Sequence, residues 1–152
     1  VAPSGVDEDA LKATVNHLSV PEQALALARA KTLSVALGNP DAYTIGADQM
    51  CALDGYIFDK PGTHSKAEAQ LAMLAGHTHT QHCGVVLARG EEVLWEMHAS
   101  ATLTMRPLTA HEIRAYVAAD APLRGAVGLP RHHLETAGDI GAALRAFEGQ
   151  AT

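Results

Sequence analysis

The stretch Tyr43-Thr-Ile-Gly-Ala-Asp-Gln-Met50, continued by Cys51-Ala-Leu-Asp-Gly-Tyr-Ile-Phe58, decides the fold. Its first half reads as a strand. Asp54-Gly55 lies between two short apolar runs and reads as a hairpin turn, because this pair tolerates the positive φ that a tight turn needs. The strand carries Gly46, Asp48 and Gln49 in its interior, all poor residues for a buried strand. A conflict between apolar pattern and polar chemistry is what functional positions produce.

On the N-terminal side, residues 1–18 read as an extended leading segment with a short polar helix around Glu8–Asn16. Ser19-Val20-Pro21-Glu22 fits a Ser-x-x-Glu capping box, with proline in the first turn, where its missing N–H costs nothing. An alanine-rich helix runs on to Leu37, and Gly38-Asn39-Pro40 stops it. On the C-terminal side, Ser65-Lys66-Ala67-Glu68 reads as a second capping box, with its helix ending at Ala75-Gly76. Thr80–Leu87 is a strand, Ala88–Glu91 a turn, and Val93–Met105 a long strand whose end alternates polar and apolar residues. Thr109-Ala110-His111-Glu112 is a third capping box, opening a helix to about Ala119. Leu123–Ala126, Val127-Gly128-Leu129-Pro130 and a weak C-terminal helix follow. Helices alternate with antiparallel pairs, so the expected class is α/β: an elongated mixed β-sheet flanked by helices.

The 152 residues suit a single domain over 1–152. With 47 % hydrophobic and 18 % charged residues, a disordered acidic segment is excluded. A net charge of −6 and the lack of any Lys/Arg block argue against a duplex-binding surface, so no nucleic-acid partner is expected. A small anionic ligand needs only a few local cations. Cys51 and Cys83 sit in separate apolar stretches and read as reduced thiols, not a disulfide framework. No run approaches the ~18 apolar residues of a membrane span, and Val1–Glu8 lacks the basic and apolar parts of a signal peptide. The expectation is a cytoplasmic protein with no membrane partner. Val1 stands where an initiator Met would, so residues upstream of it are expected too.

The residues able to carry chemistry are Asp7-Glu8, Lys31, Asp48-Gln49 and Lys60-Pro61. A carboxylate on an apolar strand is costly unless a cation or metal offsets it. Carboxylates from two segments plus two lysines form the minimum for metal-assisted attack on a phosphate. Carboxylates hold Mg²⁺ or Mn²⁺ through oxygen, and one can orient or deprotonate water. Lysines neutralise charge on the phosphate oxygens. Solvated surface charges are the plainer reading of the same residues.

Taken in order, Asp7-Glu8, Ala28-Arg-Ala-Lys31, Ile45-Gly-Ala-Asp-Gln49, Leu53-Asp-Gly55 and Lys60-Pro61 resemble the motifs of the Maf family. Leu74-Ala-Gly-His77, Leu108–Tyr116 and Val127-Gly-Leu-Pro130 resemble its later landmarks, so the likeness extends over most of residues 6–138. The resemblance implies a fold like that of the inosine triphosphate pyrophosphatases. It also implies a house-cleaning activity that cleaves a nucleoside triphosphate to the monophosphate and pyrophosphate. By the same resemblance Asp48 is the catalytic base or water-orienting group, and Glu8 a metal-binding or catalytic acid residue. Lys31 and Lys60 become phosphate contacts and Gln49 a supporting polar group at the phosphates. A divalent cation (Mg²⁺ or Mn²⁺) on Glu8 and Asp48, a homodimer and a link to septum formation are implied as well.

Two family features are missing from the sequence. One is the Ser-x-Ser-Pro-Arg-Arg type loop that precedes the Asp-Glu motif. The other is a glycine-rich stretch with a strand pair, expected between Ala126 and Val127. The expectation is that both belong to a longer domain. The family divides between dTTP/UTP-type and 7-methyl-GTP-type members, and the contexts of Cys51 and Pro122-Leu123 look more like the second. A non-catalytic nucleotide-binding regulator of cell division is the alternative, and a metal module on His77, His79 and Cys83 a third reading. The spacing of those residues matches no zinc motif. Trp95 and Met97, at strand spacing, read as packing residues, and His132-His133 as loop sequence.

Overall fold

The computed structural model describes residues 3–120. The order is α1 (Glu8–Val15), α2 (Val20–Leu37), β1 (Tyr43–Leu53), β2 (Tyr56–Phe58), α3 (His64–Leu74), β3 (Thr78–Arg89), β4 (Glu92–Thr104) and α4 (Ala110–Asp120). The expectations for Leu123–Ala126, Val127–Pro130, the C-terminal helix, Pro122-Leu123 and His132-His133 lie outside the described residues. No helix among the described residues is long and apolar enough to cross a membrane.

Local signals account for most element ends. Glu22 accepts from the Ser19 backbone N–H at 2.9 Å at the start of α2. Glu112 accepts from the Thr109 N–H at 2.8 Å, while the Thr109 hydroxyl accepts from the Glu112 N–H at 3.2 Å. These reciprocal bonds satisfy N–H groups that a helix end leaves open. At α3 the structure corrects the reading. Thr63 is the N-cap, its hydroxyl accepting from the Lys66 N–H at 3.3 Å, so Ser65 and Glu68 lie inside the helix. The β1–β2 turn holds Asp54 at φ 49° and Gly55 at φ 83°, the left-handed pair that Asp-Gly supplies.

The sheet order is β2-β1-β3-β4. The α/β class stands, but where a mixed sheet was expected, all three pairings among the described residues are antiparallel. The reason is topological. The α3 crossover does return the chain in the direction of β2, yet β1 lies between β2 and β3, so no two parallel strands are neighbours.

Strand alternation sends Thr44, Gly46, Asp48 and Met50 to one face and Gln49 and Cys51 to the other. α1 and α2 cover the first face, where Ala24, Leu27 and Met50 form a core with Leu11, Val20 and Ile57 packed against it. α3 and α4 cover the end of the second face, packing Leu71, Leu74, Ile113 and Val117 against Cys51 and Phe58.

α2 is seated on two glycines. A Cβ at Gly46 would lie 2.1 Å from the Thr32 hydroxyl, and one at Gly84 2.6 Å from the Ala24 carbonyl. The missing side chains let the helix backbone approach the strands closely. Alanines 24, 28 and 36 of α2, all fully buried, form part of the surface that makes this approach. Gly46, two residues from Asp48 on the same face, thereby sets how closely Lys31 approaches the carboxylate.

Candidate active site

Four segments meet at one end of the α1/α2 face. Asp48 comes from β1, Lys31 from α2, Glu8 from the first turn of α1, and Lys60 from the segment after β2. Lys31 Nζ lies 2.5 Å from Asp48 Oδ1 and 2.9 Å from Glu8 Oε2. Lys60 Nζ reaches the same Glu8 oxygen at 3.5 Å. One ammonium therefore bridges two carboxylates from distant parts of the chain.

The environment pushes the two carboxyls in opposite directions. Burial raises Glu8, but the hydrogen bond and charge of Lys31, with the charges of Lys60 and Lys12, outweigh it and hold its pKa at about 2. Burial also raises Asp48, and there it prevails. Lys31 pulls the value back down without cancelling the rise, and the charge of Glu8 adds to it. Burial lowers the Lys31 ammonium, but the hydrogen bonds to Asp48 and Glu8 win and raise its pKa. The result is one firmly ionised carboxylate, one more basic carboxylate and a firmly charged cation between them.

Three charged groups at the site, Asp9, Lys12 and Asp59, were missed in the sequence. Lys12 Nζ bridges Glu8 Oε1 at 3.4 Å and Asp59 Oδ1 at 2.6 Å. The first contact is an i,i+4 pair on α1, a spacing legible in sequence; the second is not. Asp7, Glu8, Asp9, Lys12, Asp59 and Lys60 line a cleft of roughly 470 Å³. A smaller cleft of roughly 60 Å³ continues from it to Asp48 and Gln49. Gln49 thus borders the site, but its side chain leaves β1 from the opposite face. Among the described residues it makes no hydrogen bond to the cluster.

Cys51 lies on that opposite face, buried under α3 and α4. Burial raises its thiol pKa against the opposing effect of Gln81, and it lines neither cleft. The His77/His79/Cys83 module does not form. His77 precedes β3, with Nδ1 2.9 Å from the Ala75 carbonyl oxygen, while His79 is buried. No group of three or more potential metal ligands occurs among the described residues.

A family model described as "Maf-like protein" matches residues 1–137. The chain belongs to the Maf family. Of the site residues expected from the resemblance, Glu8, Lys31, Asp48 and Lys60 share one ion-pair cluster with Lys12 and Asp59 in this Maf-like chain, and Gln49 stands outside it. A nucleoside triphosphate pyrophosphatase of Legionella pneumophila is 35 % identical over 122 residues, covering 80 % of this chain and 61 % of the relative. A dTTP/UTP pyrophosphatase of Moorella thermoacetica is 38 % identical over 134 residues, covering 85 % and 66 %. A nucleoside triphosphate pyrophosphatase of Hyphomonas neptunium is 40 % identical over 119 residues, covering 77 % and 59 %. The chain spans 61 % of the length of the Legionella relative that it matches.

Proposed function

We propose that this Maf-like chain hydrolyses a nucleoside triphosphate to the monophosphate and pyrophosphate. Water attacks the α-phosphorus, a new P–O bond forms, and the bond from that phosphorus to the α–β bridging oxygen breaks. The water gives up a proton and pyrophosphate leaves. The observation that carries the reading is the Lys31 ammonium shared by Glu8 and Asp48 at the cleft.

Asp48 suits the base. Its raised pKa makes it a better proton acceptor than an ordinary carboxylate, and it stands at the inner end of the cleft. Glu8, held ionised, suits a divalent metal instead. The donor set fits a hard cation, since Mg²⁺ commonly takes one or two carboxylates and fills its shell with substrate oxygens and water. When bound, Mg²⁺ or Mn²⁺ would neutralise charge developing on the phosphates. Lys31 and the more exposed Lys60 would bind phosphate oxygens, with incoming phosphate competing for the bonds that now hold Lys31 to its carboxylates. Gln49 would support the phosphates from the cleft margin. A homodimer, a cytoplasmic location and a link to septum formation belong to the same proposal and rest on the family resemblance.

The test is pyrophosphate release by the full chain with Mg²⁺, over a panel including dTTP, UTP and 7-methyl-GTP. Release from at least one nucleotide is expected, with a loss of at least 100-fold in Asp48→Asn, the scale of general-base catalysis. Activity in Asp48→Asn equal to wild type sinks the assigned role. No release from any triphosphate sinks the function.

A further inference from the structure

His82 and His98 form a pair that phosphate chemistry leaves unused. His82 lies on β3 and His98 on the edge strand β4. The register sets Ser100 opposite His82 and His98 opposite Gly84, so the imidazoles meet diagonally on one sheet face. His82 Nδ1 lies 3.2 Å from His98 Nε2. The rings meet edge to edge, their centroids 5.4 Å apart and their planes 23° from parallel. A neutral imidazole has one N–H and one bare nitrogen, so one ring donates to the other across this gap.

That separation also suits a shared cation, once both rings pivot so that their lone pairs converge on it instead of on each other. Two nitrogens bound to tetrahedral Zn²⁺ at ~2.0–2.1 Å stand ~3.3 Å apart. Imidazole is a borderline donor that favours zinc, copper or nickel over magnesium. Burial and the neighbouring ring both lower the His82 pKa, which leaves its lone pair available at neutral pH. The charged groups beside the pair are already matched. Glu96, two residues from His98 on the same face, holds Arg29 at 2.5–2.9 Å.

The pair stands apart from the phosphate cleft. Asp48, Gly84 and His98 occupy one row across three strands. The α2 backbone at Ala24 and Leu25 presses onto Gly84 between the outer two.

We propose that His82 Nδ1 and His98 Nε2 bind one borderline divalent transition-metal ion such as Zn²⁺, with water completing its shell, fastening the edge strand β4 to β3. Binding needs both facing nitrogens bare. One ring changes tautomer, so that His82 carries its proton on Nε2 and His98 on Nδ1. The change moves a proton from one nitrogen to the other of a single ring, and no proton is lost.

The test is calorimetric titration of the full chain with Zn²⁺ at neutral pH. One equivalent binds to the wild type, and His82→Gln and His98→Gln each weaken it at least tenfold. Asp48→Asn and the double variant His132→Gln/His133→Gln leave it unchanged. Imidazole ¹⁵N spectra of the wild type provide a second readout that depends on no variant's folding. With Zn²⁺, His82 shows Nε2–H and His98 shows Nδ1–H. Equal binding in the folded His82 and His98 variants overturns the proposal. So does loss of the site in Asp48→Asn or the His132/His133 variant, or imidazole signals of His82 and His98 that Zn²⁺ does not move.

Discussion

Replacing Lys31 by Met keeps an unbranched chain as far as the ε position and removes the ammonium that Glu8 and Asp48 share. Their side chains are 26 % and 11 % exposed, so solvent replaces the lost cation poorly. Glu8 is the gauge. Against burial, which raises it, Lys31 leads the groups that hold it at about 2 instead of 4.5. At 1.36 kcal/mol per pKa unit that displacement is about 3 kcal/mol. Screening at the open mouth of the cleft leaves about 2 kcal/mol as stability.

Because its folded pKa lies below its unfolded one, the Glu8 contribution is complete above pH 4.5 and is lost as pH falls toward 2. Asp48 has the opposite sign. Its folded pKa lies above 3.8, so ionising it costs stability as pH rises through that value. In Lys31→Met the Glu8 midpoint therefore moves up, and the acid limb of its stability curve flattens. Asp48 rises further, and stability at pH 7 falls by about 2 kcal/mol. Carboxyl ¹³C titration reads the two midpoints, and urea unfolding across the pH range reads the stability. A Glu8 midpoint that stays at about 2 refutes the reasoning, as does a stability curve superimposable on wild type. Either result would mean that Lys60 and Lys12 hold Glu8 without Lys31.

Two further predictions concern the sheet. Both ring nitrogens of buried His79 lack a hydrogen-bond partner among the described residues, and burial lowers its pKa below 6.5. The unfolded chain takes the proton first, so this group's effect on stability is absent above pH 6.5. Stability then falls as pH drops from 6.5 toward the folded pKa, by up to about 1.4 kcal/mol per pH unit. His79→Leu should remove that slope in urea unfolding, and an unchanged slope would assign it elsewhere. Gly84→Ala places a Cβ 2.6–2.7 Å from the backbone of α2, where no side chain can swing away. It should cost about 1–3 kcal/mol by overpacking and lower the proposed pyrophosphate release by displacing Lys31 from Asp48. A thermally neutral variant would show that α2 is not seated there.

The sequence by itself determined the element order, the Asp54-Gly55 turn and two of the three capping boxes, and it singled out Glu8, Lys31, Asp48 and Lys60 but not Lys12 or Asp59. These signals are local or motif-borne: a cap reads three residues ahead, and the family motifs name Glu8, Lys31, Asp48 and Lys60 one at a time. Tertiary structure alone decided the rest. The antiparallel pairing of all neighbours among the described residues depends on β1 lying between β2 and β3. Gly46 is a poor strand residue by propensity, and the seating of α2 against it is what requires it there. The contact between Lys31 and Asp48 joins residues 17 apart in sequence, and that between Lys12 and Asp59 residues 47 apart. Spacing carries no record of such partners. The opposite pKa displacements of Glu8 and Asp48 arise from burial and charges assembled by folding, which is why two carboxylates of similar ordinary acidity acquire different chemistry in one cleft.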